Sequence, residues 1–192
     1  MAAASRILRH GGYASLTMEA VANESGVAKT TLYRSWPTKA ALCMHLYTDV
    51  AGQELRDPAT GDVEEDLKAI ASAVVHLQTR TVAGPAFIGL IAEAQANPDT
   101  RSSFLEFTER RREITTTVLQ RAIARGQLRP DTDVDLVIDT LGGALTFRLL
   151  QGHAPLTEEF TDAVVRLVLS GCRAKSPRER RTSNAGKPSD RG

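Results

Sequence analysis

The stretch SGVAKTTLYRSWPTK, Ser25 to Lys39, decides how the N-terminal part of this 192-residue chain folds. Gly26 accepts a positive φ at a sharp turn, and Ala22 is small enough to let two helices approach each other closely. Apolar side chains that can pin both helices to a third one stand at Val21, Val27 and Leu32. Together these features predict a helix-turn-helix.

The helix after the turn separates into two sides at 100° per residue. We expect a packed side made of Thr31, Leu32, Ser35 and Trp36. The other side is a row of donors, Lys29, Thr30, Tyr33 and Arg34. Such a helix fits the major groove, where Lys and Arg read guanine and Thr contacts the thymine methyl group. A solvated polar face with no partner is the alternative interpretation of the same row.

The longer segment TMEAVANESGVAKTTLYRSWPTKAAL, Thr17 to Leu42, resembles the N-terminal DNA-binding domain of TetR-type transcriptional regulators. The resemblance implies DNA contacts, mostly to phosphates, from Thr17, Lys29, Thr31, Tyr33 and Lys39. The resemblance and the helical wheel disagree at Thr31, because the wheel places this residue on the packed side of the helix. The complete predicted interface is Thr17, Val27, Ala28, Lys29, Thr30, Thr31, Tyr33, Arg34 and Lys39.

Two positions depart from the pattern of that family. Trp36 stands where Phe or Tyr is usual, which suits the same packing role. Met1 falls inside the expected first helix, so the basic arm that often precedes it is missing. Either the start of the chain is truncated or the protein grips its operator with fewer phosphate contacts.

Composition and charge indicate a soluble protein with a basic head and tail. Residues 1–56 carry six Lys or Arg against four Asp or Glu, residues 57–172 carry 11 against 17, and residues 173–192 carry seven against two. We expect no membrane span, because no apolar run approaches about 20 residues. Cys43 and Cys172 are interpreted as reduced thiols of a cytoplasmic protein.

The chain is predicted to be all-α, with a helix-turn-helix domain at 1–55, a helical ligand-binding and dimerisation domain at 62–172, and a disordered basic tail at 173–192. The segment RDPATGD, Arg56 to Asp62, is the expected linker. The predicted helices are Ala2–His10, one from the Thr17 cap to Ser25, Ala28–Trp36, one from the Thr38 cap to Gln53, Asp62–Thr79, one from Gly84 to before Asn97, a long one to Gly126, Val134–Gln151 and Glu158–Ser170.

The last two helices, VDLVIDTLGGALTFRLL and FTDAVVRLVLSG, carry more apolar surface than one core-facing stripe needs. The resemblance implies that they form a homodimer, which places two recognition helices about 34–36 Å apart on a palindromic operator. A buried helical hairpin within one chain is the alternative.

The resemblance also implies a pocket for a small-molecule effector, which on binding changes the spacing of the dimer. The predicted pocket residues are Phe87, Leu90, Ile91, Phe104, Phe107, Thr108, Arg111, Ile114 and Thr115. Ordinary core packing is the alternative for each of them. The run Thr115 to Thr117 suggests a hydroxyl-lined cavity, because β-branched residues are mildly unfavourable in helices.

An enzyme is the weaker class of function, because HExxH, Gly-Lys-Ser/Thr phosphate-loop and Gly-x-Ser-x-Gly motifs are missing from the sequence. We predict no metal site, catalytic residue or cofactor. The prediction is therefore a ligand-responsive transcriptional regulator, a repressor that binds double-stranded DNA. The alternative is a small helical ligand-binding protein or enzyme whose head no longer binds DNA.

Overall fold

A computed structural model describes residues 1–174 and confirms the all-α prediction. An isolated β-bridge joins Leu128 to Arg173. The helices of the described residues are α1 Ala2–Ser15, α2 Met18–Ser25, α3 Lys29–Ser35, α4 Lys39–Glu54, α5 Val63–Arg80, α6 Ala83–Ala96, α7 Pro98–Ala124, α8 Val134–Gln151 and α9 Glu158–Cys172.

Side-chain caps begin the helices at the positions that the sequence indicates. Thr17 and Thr38 each accept a hydrogen bond through Oγ1, from the amides of Ala20 and Ala41 at 3.0 Å. The carboxylate of Asp62 accepts from two amides at the start of α5, at 2.8 and 3.1 Å. Each cap satisfies donors that a helix leaves unpaired at its N-terminus. The caps therefore set where α2, α4 and α5 start.

Seven helices differ from the prediction at one or both boundaries, by five residues in α1 and by one or two residues in the others. The α1 helix continues beyond the Gly11-Gly12 pair to Ser15, with a kink at Gly12, where φ is 65° and ψ is −169°. Glycine tolerates this conformation, so the pair bends the helix instead of ending it. The α6 helix begins at Ala83 rather than Gly84, and α9 runs to Cys172 rather than Ser170.

The C-terminal tail prediction falls largely outside the described residues, which stop at 174. Its first two residues belong to the folded body instead. The amide of Ala174 donates to the carbonyl of Gln127 at 3.2 Å, and the Arg173 guanidinium pairs with Glu64. The boundary placed at residue 173 is therefore wrong by at least two residues.

The head, defined as helices α1–α4, shares its core with α6. Leu8, Leu42 and Leu46 of the head form one apolar cluster that also contains Ala86 and Leu90 of α6. These side chains are almost fully removed from water. The head is consequently packed onto the body along one helix rather than only tethered to it.

The body, defined as helices α5–α9, has its own cluster built mainly from α5, α7, α8 and α9. Leu67, Leu119, Val165 and Leu169 lie at its centre, each at most 2% exposed. The 56–62 linker between head and body is fastened to this unit, because Asp57 forms two 2.7 Å hydrogen bonds with the Arg121 guanidinium. That guanidinium lowers the pKa of the Asp57 carboxyl from its usual value.

Candidate functional site

The turn between α2 and α3 has the geometry of a helix-turn-helix. Gly26 ends α2 in the left-handed conformation, with φ 70° and ψ 8°, and its amide donates to the carbonyl of Ala22 at 2.9 Å. Val21, Ala22 and Leu32 are buried in the head core, between 4% and 7% exposed. The sequence therefore fixes the angle of α3 by one glycine and a few apolar contacts.

All of the predicted DNA-facing residues except Lys39 are exposed. Tyr33 is 50% exposed and Val27 is 38% exposed. The exposed set is Thr17, Val27, Ala28, Lys29, Thr30, Thr31, Tyr33 and Arg34. The helical wheel is wrong for Thr31 and Ser35, which are also exposed. A seven-residue helix rests on buried Leu32 and half-buried Trp36, so its packed side is narrower than the wheel assumes.

The two cationic side chains of α3, Lys29 and Arg34, differ in their contacts with acidic residues. The Lys29 ammonium lies 2.6 Å from Glu19 of α2, and this contact lowers the pKa of the Glu19 carboxyl. Arg34 forms no ion pair with any residue between 1 and 174, so its charge is free to meet a polyanion. Both side chains are presented toward solvent from the same short helix.

Lys39, at the start of α4, is half-buried and contacts the body. Its ammonium lies 4.0 Å above the centre of the Tyr13 ring and 3.8 Å from a carboxylate oxygen of Glu93 in α6. The Tyr13 hydroxyl donates to the same Glu93 at 2.5 Å. Burial, followed by the Glu93 contact, raises the pKa of Tyr13 well above its usual range. Lys39 thus lies where the head meets α6.

A cavity of about 640 Å³ lies between α4 and α7. Three of the predicted pocket residues line it, namely Phe107, Arg111 and Ile114. Sequence reasoning missed the opposite wall, which α4 supplies with Met44, Tyr47, Thr48, Ala51 and further residues. The volume is in the range of sites for small organic molecules.

The other six predicted pocket residues lie outside the cavity lining. Leu90 is fully buried in the packing of α6 against the head, and Phe87 and Ile91 pack with Tyr47 in an apolar cluster behind the cavity. Phe104 contacts both of these clusters. The remaining two are Thr108, whose hydroxyl donates to the carbonyl of Leu105 at 2.8 Å, and partly buried Thr115. The cavity is thus walled by α4 and α7 rather than by α6 and α7.

Two family models match this chain. The model described as bacterial regulatory proteins, tetR family, matches residues 1–45. The model described as tetracyclin repressor-like, C-terminal domain, matches residues 57–168, which is more than half of the chain. The chain belongs to the TetR family of transcriptional regulators. The match at residues 1–45 includes the helix-turn-helix described above, and the second match includes most of the body.

Individual TetR relatives agree with this assignment over most of the chain. The crystal structure of the TetR-family regulator SCO0332 is 39% identical, with a TM-score of 0.77, over 88% of this chain and 93% of that one. An uncharacterised HTH-type regulator of Mycobacterium bovis, Mb1581, is 28% identical over 86% of this chain and 81% of its own. YdeS of Bacillus subtilis is 26% identical over 93% and 90%. These relatives are regulators, and the TetR family is not one of enzymes.

The TetR body leaves large apolar side chains uncovered on its last two helices. They are Leu136 at 63% exposure, Phe147 at 61%, Leu150 at 45% and Leu167 at 74%. At Gly142 and Gly143, an added Cβ atom would meet nothing within 4 Å, so the surface of α8 is open there. Within residues 1–174, no helix is both long and apolar enough to cross a bilayer.

Proposed function

We propose that this TetR-family regulator is a repressor that binds a palindromic operator as a homodimer and leaves it when a small molecule occupies the α4–α7 cavity. The observation that carries the proposal is the exposed donor row of α3, held in place by buried Leu32 and the Gly26 turn. Exposed Lys, Thr, Tyr and Arg side chains on one short helix match the phosphates and base edges of the major groove.

Individual roles follow from how each side chain is held. Arg34 is exposed, and no carboxylate between residues 1 and 174 forms an ion pair with it. We therefore assign its guanidinium to a base edge or an adjacent phosphate. Lys29 can exchange Glu19 for DNA at little cost, because ion pairs exposed to solvent contribute little to stability. Thr17, Thr31 and Tyr33 are assigned to phosphates, which position the protein on the duplex.

The homodimer is supported by the uncovered apolar side chains of α8 and α9. Patches of this kind are uncommon on proteins that work as monomers. A two-fold interface through these helices gives one recognition helix to each half-site, about one turn of DNA apart. We also propose that the regulator works in the cytoplasm, where its DNA is found.

Effector control is supported by the position of α4. One side of this helix walls the cavity through Met44, Tyr47 and Ala51, and its first residue, Lys39, lies at the contact between head and body. A molecule that binds one orientation of α4 better than another shifts the population of head orientations. The dimer then presents its recognition helices at a spacing that no longer fits the operator.

The proposal is tested by fluorescence anisotropy with DNA from upstream of the protein's own gene. Arg34→Ala is expected to weaken specific binding at least tenfold, because it removes a charge-assisted contact worth about 1.5–3 kcal/mol. Arg101→Ala is the matched control, since Arg101 is an exposed arginine on α7, outside the head, and we expect unchanged affinity. Equal binding by wild type and Arg34→Ala would contradict the assignment.

The alternative, a ligand-binding helical protein whose head no longer binds DNA, gives a different result in the same assay. Binding would then be weak, steeply salt-dependent and equal for the upstream fragment and for a scrambled fragment of the same length. A sequence-specific complex excludes it.

A further inference from the structure

Arg111 of α7 places a positive charge in the wall of a largely apolar cavity. Its guanidinium carbon lies 4.3 Å from the centre of the Phe87 ring, 4.9 Å from Tyr47 and 5.7 Å from Phe107. The three rings pack around the guanidinium, and Arg111 is only partly exposed to water. Any anion that reaches it is bound in a medium where charges interact more strongly than in water.

The carboxylates of the described residues leave this cation uncompensated. Arg111 takes part in none of the ion pairs between residues 1 and 174, although the next arginine, Arg112, pairs with Asp135 and Asp139. Two acidic residues line the cavity. Glu106 is exposed and lies 3.7 Å from Arg110, and Asp99 lies twelve residues before Arg111, about 18 Å along the helix. Neither neutralises the guanidinium.

Two hydrogen-bonding groups at this point are buried and unpaired within the described residues. They are Nε of Arg111 and the hydroxyl of Tyr47, a residue with no exposed surface. Burial, opposed in part by Arg111, raises the pKa of Tyr47, so the hydroxyl remains a donor at neutral pH. A guanidinium and a phenol beside one another offer donors to a planar group that carries two acceptor oxygens.

We propose that the cavity binds a small amphipathic carboxylic acid, with its carboxylate on Arg111 and Tyr47 and its apolar body along Met44, Phe107 and Ile114. This inference rests on the proposed effector role of the cavity and names the chemical class of the effector. The volume of about 640 Å³ accommodates a medium-length fatty acid or an arylalkanoic acid. One guanidinium and one hydroxyl supply enough donors for a single carboxylate.

Isothermal titration calorimetry on the full-length protein without DNA tests the proposal. The probes are octanoate, decanoate and phenylacetate, each compared with its primary amide, which has the same shape without the charge. We expect at least one acid to bind about 10- to 100-fold more tightly than its amide, as expected for hydrogen bonds between charged partners. If every amide binds as well as its acid, or if none of the three acids binds, the proposal is wrong.

Variants assign the contact to the named residues. Arg111→Met and Tyr47→Phe are each expected to remove most of the preference for acid over amide. Arg110→Met, which removes the charge of the exposed arginine next to Arg111 in the chain, is expected to keep this preference. If Arg111→Met fails to fold, Tyr47→Phe and the comparison of wild-type acid and amide binding still decide the outcome. A preference that survives Tyr47→Phe unchanged, or disappears in Arg110→Met, contradicts the site.

The failure of this inference can be distinguished from failure of the proposed function. Anisotropy with the upstream DNA is repeated with the acid that binds most tightly. Acid binding that leaves a specific DNA complex intact would contradict the effector role but keep the carboxylate site. A specific DNA complex together with no acid preference would contradict only the carboxylate site.

Discussion

Gly89 has a hydrogen atom in place of a side chain, and this permits the close contact between α1 and α6. A Cβ atom added there would lie 1.9 Å from Cγ of Tyr13, whose hydroxyl is bonded to Glu93 one turn further along. Gly89→Ala therefore forces the ring aside, and we expect a loss of about 1–3 kcal/mol in the free energy of unfolding. Chemical denaturation followed by circular dichroism measures it.

The control at this scale is Gly52→Ala in α4. An added Cβ atom meets nothing within 4 Å there, so the helix gains about 0.5–1 kcal/mol from the lower flexibility of the unfolded chain. Opposite signs for the two substitutions are the expected outcome. A neutral or stabilising Gly89→Ala would show that the α1–α6 contact tolerates a methyl group and is looser than described.

The sequence predicts where several helices start, but it does not predict which helices pack against one another. Thr17, Thr38 and Asp62 mark helix starts because a cap is a local interaction, and the structure confirms all three. The cavity wall depends on which helix faces which. Leu90 of α6 has the spacing of a pocket residue, yet it packs against the head, while Tyr47 of α4 lines the cavity. Periodicity shows that one face of a helix is apolar, but it does not show which other helix packs against that face.

The last two helices give a prediction for assembly. Leu167 of α9 is 74% exposed, and Leu167→Glu places a charge where we propose a second copy packs. We expect the dimer to dissociate, because burial of an unpaired carboxylate is strongly unfavourable, while the helical content of each chain is kept. Analytical ultracentrifugation measures the change. Leu105→Glu on α7, at a position 54% exposed, is the matched control and should leave the dimer intact. Equal masses for both variants would place the interface elsewhere.

At the scale of the whole molecule, the question is whether the predicted domain boundary separates two units that fold independently. The core that the head shares with α6 decides it. The sequence divides the chain at the 56–62 linker, and the match of a separate family model to residues 1–45 agrees with a distinct head. Yet Ala86 and Leu90 of α6 are fully buried in the head cluster, together with Leu8 and Leu42. The linker can be recognised in the sequence by its Pro, Gly and Asp residues. Packing between residues on either side of the linker is a long-range contact, and such contacts leave no local pattern in the sequence.

A fragment of residues 1–55 therefore lacks part of its own core. Removing α6 exposes the apolar side chains that Leu90 covers, and each such side chain contributes about 1.5–3 kcal/mol when buried. This loss is comparable with the whole stability of so small a unit, so we expect the fragment to show no cooperative thermal transition. A fragment of residues 1–97, which restores α6, should recover helical signal per residue in circular dichroism and α1 protection in hydrogen exchange. A cooperative melt of 1–55 alone would show that the head is an independent domain and that α6 only docks onto it. Effector binding in the body would then have to reach the DNA-binding helices through α4 alone.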